Sequence, residues 1–318
     1  MRTLFVENKD HELRYERASI LVYENGKRKT SVPVSQLERI IVSPSIALTA
    51  GVLGVVVEHE VALMVVNTSN PNRSAYLSGA IKTDIQRRVC QFSLLTDFQF
   101  RLDCSQQIIL FKTLNQIRFF SKMLTQRQDL RHEIIKSATQ LKEVYKHLTE
   151  NKNIDSLAEL RGIEGSAARV YFKGYQLLFP ESLNFNRRTR RPPLDPVNSC
   201  LSLAYTLFHS EAVLAIKEVG LDPAIGFYHA VSYNRESLAC DFLEPIRPQI
   251  DEWVWQLFQS RTLRSDDFTY QGQSCLLSQT GKKKFYSHYR SKVKGFRRLL
   301  RKYARIYLNL ILTHESKS

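Results

Sequence analysis

The chain has 318 residues, 43% of them apolar, enough to build one large domain or two of ordinary size. A formal net charge of +15 and a pI of about 9.6 are the balance of a protein made to meet a polyanion. Five cysteines without a CxxC pair read as reduced thiols in a cytoplasmic protein, and the start MRTLFVENKDHELRY reads as too charged for a secretory signal.

In chain order, Arg2 to Glu7, Ser19 to Tyr23, Arg39 to Val42 and Ala62 to Asn67 are short β-branched runs that predict strands. Turn material such as Glu24-Asn25-Gly26 and residues 67–73 separates them. Ser45 to His59 reads as one apolar helix entered through Ser43-Pro44-Ser45. Ile40 to Val57 carries no charge, but that Ser-Pro-Ser step leaves about a dozen residues before Glu58, short of the roughly 20 that span a bilayer. Residues 1–82 are therefore expected to form a small β-sandwich-like domain crossed by one helix.

From about Lys82 the period changes. Ile81 to Lys122 and Asp129 to Leu148 repeat apolar residues at helical spacing. A break at Glu150 to Ile154 precedes a short helical segment at Ser156 to Arg161, and a new helix is expected to open at Arg161-Gly162-Ile163-Glu164-Gly165. Asp195-Pro196 is a helix start, an N-cap carboxylate followed by proline at the first helical position. The helix that follows, Val197 to Val219, is apolar nearly all round and predicts a buried centre. The expected fold class is α+β, with residues 83–318 a larger all-α catalytic domain that ends in a basic helix.

Three places can carry chemistry. Glu164, expected in the first turn of its helix with Tyr171 on the same face, reads singly as a dipole-stabilising cap; the flanking Gly162 and Gly165 open room for a ligand. His229, within the apolar run Gly226-Phe227-Tyr228-His229-Ala230, reads singly as a satisfied core histidine. Asp241 and Glu244 stand three apart, and Arg247 continues their row. Pro245 cannot donate to the carbonyl of Asp241, nor Pro248 to that of Glu244, so a helical break falls on two acidic residues in an apolar segment. Such a break points to a site in preference to a solvated face. Carboxylates with one imidazole suit a hard divalent ion, Mg2+ or Mn2+; no Cys/His cluster has structural-zinc spacing, while a catalytic zinc with mixed ligands stays open.

Two basic clusters fit DNA. Arg187, Arg188, Arg190 and Arg191 precede Pro192-Pro193, and Lys282 to Arg305 holds eleven Lys or Arg with no Asp or Glu. In the latter, Lys282, Lys283, Lys284, Arg290, Arg297 and Arg298 are candidate phosphate contacts, beside an aromatic face of Phe285, Tyr286, Tyr289 and Phe296.

Four blocks, RGIEGSAARVYF at 161–172, RTRRPPLDPVN at 188–198, GLDPAIGFYH at 220–229 and LACDFLEPIRP at 238–248, together resemble the universal CRISPR-associated adaptation endonuclease, the spacer-integrase family. The resemblance implies a β-sandwich N-terminal domain for dimerisation and DNA contact, a helical catalytic domain and a symmetric homodimer. It also implies a small ferredoxin-like CRISPR-associated partner protein and double-stranded DNA as substrate, both spacer precursor and repeat. The family's metal ligands fall on Glu164, His229 and Glu244, Asp241 matches an acidic position close by, and Arg247 matches a basic residue near the DNA. Where the family often has glycine before the last N-terminal strand, this chain has Glu58-His59-Glu60.

The resulting expectation is a cytoplasmic, metal-dependent DNA endonuclease and integrase with catalytic residues Glu164, His229, Glu244 and Asp241. It inserts foreign DNA into a CRISPR array by 3′-hydroxyl attack, in antiviral defence. Two readings compete: a structure-specific repair nuclease or branched-DNA resolvase, and a non-catalytic basic DNA-binding protein whose carboxylates only pair with arginines.

Overall fold

The computed structural model describes residues 2–67, 73–77, 85–150, 154–233 and 235–315. The chain divides into two compact units. The first is Met1–Asp84 with Lys217–Gly220; the second is Ile85–Ile216 with Leu221–Ser318.

The first unit holds β1 (Arg2–Val6), β2 (His11–Glu16), β3 (Ser19–Glu24), β4 (Lys27–Pro33), β5 (Leu37–Val42), β6 (Ala47–Leu48), α1 (Ala50–Glu58), β7 (Ala62–Val65) and β8 (Ala75–Leu77). One sheet runs β1-β5-β7-β8, parallel across its first three strands; the other runs β4-β3-β2-β6. Val6, Ile40 and Leu63 of the first share a core with Leu13, Ile20 and Val22 of the second. Asn25 and Gly26, both at positive φ, turn β3 into β4, the type of reversal that an Asn-Gly pair favours.

Four strands are not among the β-branched runs, β6 falling inside the segment read as helix. β2 buries Leu13 alone, and β4, KRKTSVP, is a charged edge whose side chains face solvent, so neither alternates clearly; β8 spans only three residues. The apolar helix is also shorter than the segment 45–59. Ala47–Leu48 pairs with β2, and α1 begins at Ala50, burying Val52, Val55 and Val56 while Leu53 and Val57 face outward. Part of the expected turn, residues 68–72, lies outside the described residues.

The second unit holds α2 (Ile85–Ser93), α3 (Phe98–Gln126), α4 (Arg131–Glu150), α5 (Leu157–Gln176), α6 (Pro196–Glu218, its last two residues in the first unit), α7 (Ser237–Leu243), α8 (Arg247–Gln259) and α9 (Gln279–Glu315). The predicted helix at Ile81 to Lys122 is two helices parted at residues 94–97, with Asp97 capping α3 through the amide of Phe100; residues 81–84 lie outside the described residues. Asp195 caps α6 as expected, accepting from Asn198 N at 2.8 Å. α6 is the one described helix long and apolar enough to cross a membrane, but 78% of its apolar window is buried within the protein, as in a core helix.

The expectation of an all-α second region is corrected by a hairpin. β9 (Phe268–Gln271) and β10 (Ser274–Leu277) pair antiparallel around Gly272, whose φ of +58° suits the reversal. Strands of four residues between two helices are too short for their alternation to stand out from the helical pattern on either side. Cys275 N donates to Pro193 O at 2.8 Å, so the hairpin holds the loop that leads into α6.

Candidate active site

α5 is one continuous helix, and this revises the place of Glu164. Ser156 caps it by accepting from Glu159 N at 3.1 Å, so the segments expected at 156–161 and from 161 onward are a single element. Glu164 therefore lies in the third turn, beyond the reach of the N-terminal dipole, and a capping role is excluded. Gly162 and Gly165 sit inside the helix with open space where a Cβ would be. Seven residues on, Tyr171 shares the Glu164 face and is buried, its hydroxyl donating to Asp251 Oδ2 at 3.0 Å.

The break over Asp241 to Pro248 is real. α7 ends at Leu243, Glu244–Ile246 form a 3₁₀ turn, and α8 starts at Arg247. The carbonyl of Pro245, inside the turn, accepts from Asn115 Nδ2 of α3 at 2.8 Å, which ties the turn to that helix. Both acidic side chains are buried, Asp241 at 0% and Glu244 at 5% exposure, which sets aside a solvated face.

Asp241 takes four hydrogen bonds. Oδ2 accepts from the backbone N–H of Phe227 at 2.7 Å and of Tyr228 at 3.1 Å; Oδ1 accepts from His229 N at 3.0 Å and from His229 Nδ1 at 2.7 Å. The segment 226–229 can wrap the carboxylate because position 226 is glycine: a Cβ there would stand 2.8 Å from Asp241 Oδ2 and 2.7 Å from the backbone of Ser237. An ionised carboxylate only accepts, so Nδ1 is the donor, and in the neutral imidazole Nε2 carries the lone pair. That lone pair faces Glu244, with Nε2 3.9 Å from Oε1. Asp241 is thereby saturated, and it positions the imidazole without itself facing a ligand.

Two cations meet the glutamates. Arg247 Nε lies 3.0 Å from Glu244 Oε1, with its guanidinium 4.8 Å above the Tyr205 ring. Lys112 of α3 contacts Glu164 through its ammonium and approaches Glu244 Oε2 to 2.6 Å. Glu244 Oε2 is buried with no aligned hydrogen-bond donor, so Lys112 meets it as a charge contact. Burial pushes the Glu244 carboxyl up, but Arg247 and Lys112 outweigh it and hold the group at about 2. Burial, with Glu164 and Glu244 adding to it, raises the Tyr228 phenol well above its ordinary value. Lys112 was not among the expected residues. Its signal was present, a lysine on the buried stripe of α3 that runs Ile108, Ile109, Lys112, Thr113, Gln116.

Behind Arg247, Asp251 is buried and accepts the hydroxyls of Tyr171 and Tyr205. Burial raises its carboxyl to about 6 despite those donors and the nearby Arg247. The folded state therefore holds a proton that the unfolded chain has released between the ordinary value of 3.8 and about 6, so stability falls as pH rises through that window. Urea midpoints at pH 4 and pH 7 check this: Asp251→Asn should lose the part of the pH dependence that wild type shows over that interval. An unchanged profile in Asp251→Asn would refute the assignment.

The basic clusters divide. Arg187, Arg190 and Arg191 are exposed. Arg188 is not available as expected, because it donates to Asn198 Oδ1 at 2.8 Å and to Ser202 Oγ at 3.1 Å and so pins its loop onto α6. On α9, Lys283, Arg290 and Arg298 are exposed and Lys282 is half-buried, while Lys284 pairs with Asp267 at 2.8 Å. Arg297 is corrected outright. It is 6% exposed and makes two hydrogen bonds to the buried Glu211 of α6, at 2.9 and 2.7 Å, so it anchors α9 instead of facing DNA.

Glu164, Glu244 and His229 supply two carboxylates and one imidazole nitrogen held by a carboxylate, a donor set that fits a hard divalent ion. Among the described residues no trio of His, Cys, Asp and Glu side chains stands closed around one point, and the Lys112 ammonium lies between the two glutamates.

Residues 4–291 match the family model of CRISPR associated protein Cas1. The chain belongs to the Cas1 family. A CRISPR-associated endonuclease Cas1 of Thermodesulfovibrio yellowstonii is 36% identical over 95% of this chain and 94% of its own length. One from Thermus thermophilus is 32% identical over 74% of this chain and 67% of its own. Among solved structures, a Cas1 protein from Thermotoga maritima superposes with a TM-score of 0.82 at 21% identity, covering 98% of this chain and 97% of that one. A casposase bound to integration product gives 0.80 at 22% identity, covering 97% of this chain and 90% of that one. A chain of a Cas6-RT-Cas1–Cas2 complex gives 0.81 at 21% identity, covering 98% of this chain but 35% of that one. These structural likenesses establish the Cas1 fold, with N-terminal strands and a larger helical region.

Proposed function

We propose that this Cas1-family chain is a divalent-metal-dependent DNA endonuclease and integrase that joins 3′-hydroxyl ends of captured DNA into a CRISPR array. The observation that carries the reading is the Asp241–His229 pair. It aims Nε2 at the buried Glu244, which with the half-buried Glu164 forms an acidic pair compensated by Lys112 and Arg247. Relatives named as Cas1 endonucleases, and a like-folded casposase described as bound to its integration product, support the reaction class.

Glu164, His229 and Glu244 would hold Mg2+ or Mn2+, which when bound supplies Lewis-acid polarisation of a phosphoryl oxygen. The protein's own part is orientation. Asp241 fixes the imidazole tautomer, Arg247 holds Glu244 ionised beside the substrate, and the Asn115 contact keeps the 3₁₀ turn in place. Attack by a 3′-hydroxyl gives joining, and attack by water gives cutting, from one set of residues. The first unit, as a sandwich, would serve dimerisation and DNA contact. The Cas1–Cas2 complexes among the structural neighbours support a CRISPR-associated protein partner. That this partner is small and ferredoxin-like, that the chain forms a homodimer and that it works in the cytoplasm belong to the same proposal.

A strand-transfer assay with a labelled oligonucleotide, a repeat-bearing duplex and Mn2+, with and without a candidate partner, tests this. Joined product supports the integrase; cleaved product alone would favour a repair nuclease. Binding should also depend steeply on salt. If the exposed arginines and lysines contact six to ten phosphates, affinity falls by roughly 10³ to 10⁵ between 50 and 200 mM salt. Fluorescence anisotropy at the two concentrations reads it, and a loss of tenfold or less would remove α9 and the 187–191 loop from the interface.

A further inference from the structure

Lys112 is the residue that neither the motif blocks nor the proposed chemistry uses. It sits mid-way along α3 on the buried stripe, only 8% exposed, and its ammonium touches Glu164 and lies 2.6 Å from Glu244 Oε2. One cation spanning two carboxylates has the placement of a bound ion. Without it, the buried Glu244 and the half-buried Glu164 would face each other as like charges with Arg247 alone to compensate, and the desolvated Glu244 would bear most of the cost.

We propose that Lys112 is a resident cation that occupies the metal position of the unloaded chain, and that a divalent ion must displace it from Glu164 and Glu244 to bind. The proposal rests on the metal reading given above.

Formal charge supports the exchange. Glu164, Glu244 and Asp241 against Lys112 and Arg247 leave these five side chains one negative charge in excess. A divalent ion added without moving Lys112 would place a third cation against the same two glutamates, and repulsion at short range and low dielectric is severe. Once displaced, the ammonium and the ion together leave an excess of one positive charge, which a single phosphodiester neutralises. The lysine therefore makes loading costly in the absence of DNA and holds the two glutamates together until it occurs. Flexibility suits it to this part, since an ammonium on a four-carbon stem can swing away where a planar guanidinium such as that of Arg247 is held by stacking.

The test is Mn2+ binding to the full chain by titration calorimetry, comparing wild type with Lys112→Met. Removing a competing cation should tighten Mn2+ binding by roughly tenfold to a hundredfold, the usual range of coupling between two such sites. A residue of purely structural use would weaken binding on removal. Equal or weaker affinity in Lys112→Met, with wild type binding normally, overturns the role of Lys112 and leaves the metal reading standing. If neither protein binds Mn2+, both fall. Should Lys112→Met not fold, the unmutated chain answers the question through amine acetylation read by peptide mass. Lys112 should become several-fold more reactive when Mn2+ is added, and unchanged or reduced reactivity overturns the proposal.

Discussion

Glu164→Ala and His229→Ala are each expected to lower strand transfer by roughly 10² to 10³-fold or more, the scale of losing one preorganised contact to the reacting group. Neither change should unfold the chain. The Glu164 side chain is 23% exposed and that of His229 18% exposed, so both occur at the edge of the packed interior and not in its centre. Glu164→Ala leaves Lys112 with Glu244 as partner, and His229→Ala leaves the three backbone donors on Asp241 intact. Because the three residues would act on one ion, the double variant should be little worse than either single one. The measurement is joined product from a labelled oligonucleotide with Mn2+ present, alongside circular dichroism and DNA affinity. A variant that still joins DNA near the wild-type rate would remove its residue from the site.

The second large effect concerns Asp241, where structure and activity separate by substitution. In Asp241→Ala, the N–H groups of Phe227, Tyr228 and His229 lose a buried acceptor together. Each orphaned donor costs about 1–3 kcal/mol, so three approach the whole net stability of a domain, about 5–15 kcal/mol. Asp241→Ala should therefore be insoluble or unfold at much lower urea. Asp241→Asn keeps the shape and one acceptor oxygen but turns an amide N–H toward donors. It should fold with reduced stability, lose control of the His229 tautomer and bind Mn2+ some 10–100-fold more weakly, as disturbed partners of ligating histidines do. Full stability of Asp241→Ala would show that the carboxylate does not organise the loop. Wild-type Mn2+ affinity in Asp241→Asn would show that it does not orient the imidazole.

Local patterns carried far in this chain because several elements state their surroundings in their own composition. The all-round apolar run at 197–219 has no stable place except a core, and α6 is there. Pro245 and Pro248 remove specific donors, so a break over Asp241 to Glu244 follows from covalent structure alone. The N-terminal strands were legible where consecutive apolar residues are buried on both faces, as in β3 and β5, and illegible in β2 and β4, whose outward faces are charged. Glu164 shows the opposite failing. Glycines at 162 and 165 imitate a helix start, yet Ser156 caps the helix two turns earlier and packing carries it through both.

What the amino-acid sequence determined by itself, then, was which residues carry charge or a lone pair and where the backbone must bend. It also determined the net basic balance that points to nucleic acid. Which charges are already matched only the tertiary structure decided. Arg297 and Arg298 are adjacent and chemically identical, but one faces Glu211 inside the protein and the other faces solvent. Lys112 lies 52 residues from Glu164 and, by residue number, farther still from Glu244, yet it holds the two together. The reason is physical: the hydrogen bonds within a helix and its apolar period act over a few residues, whereas an ion pair in a buried site depends on distances that chain order does not encode.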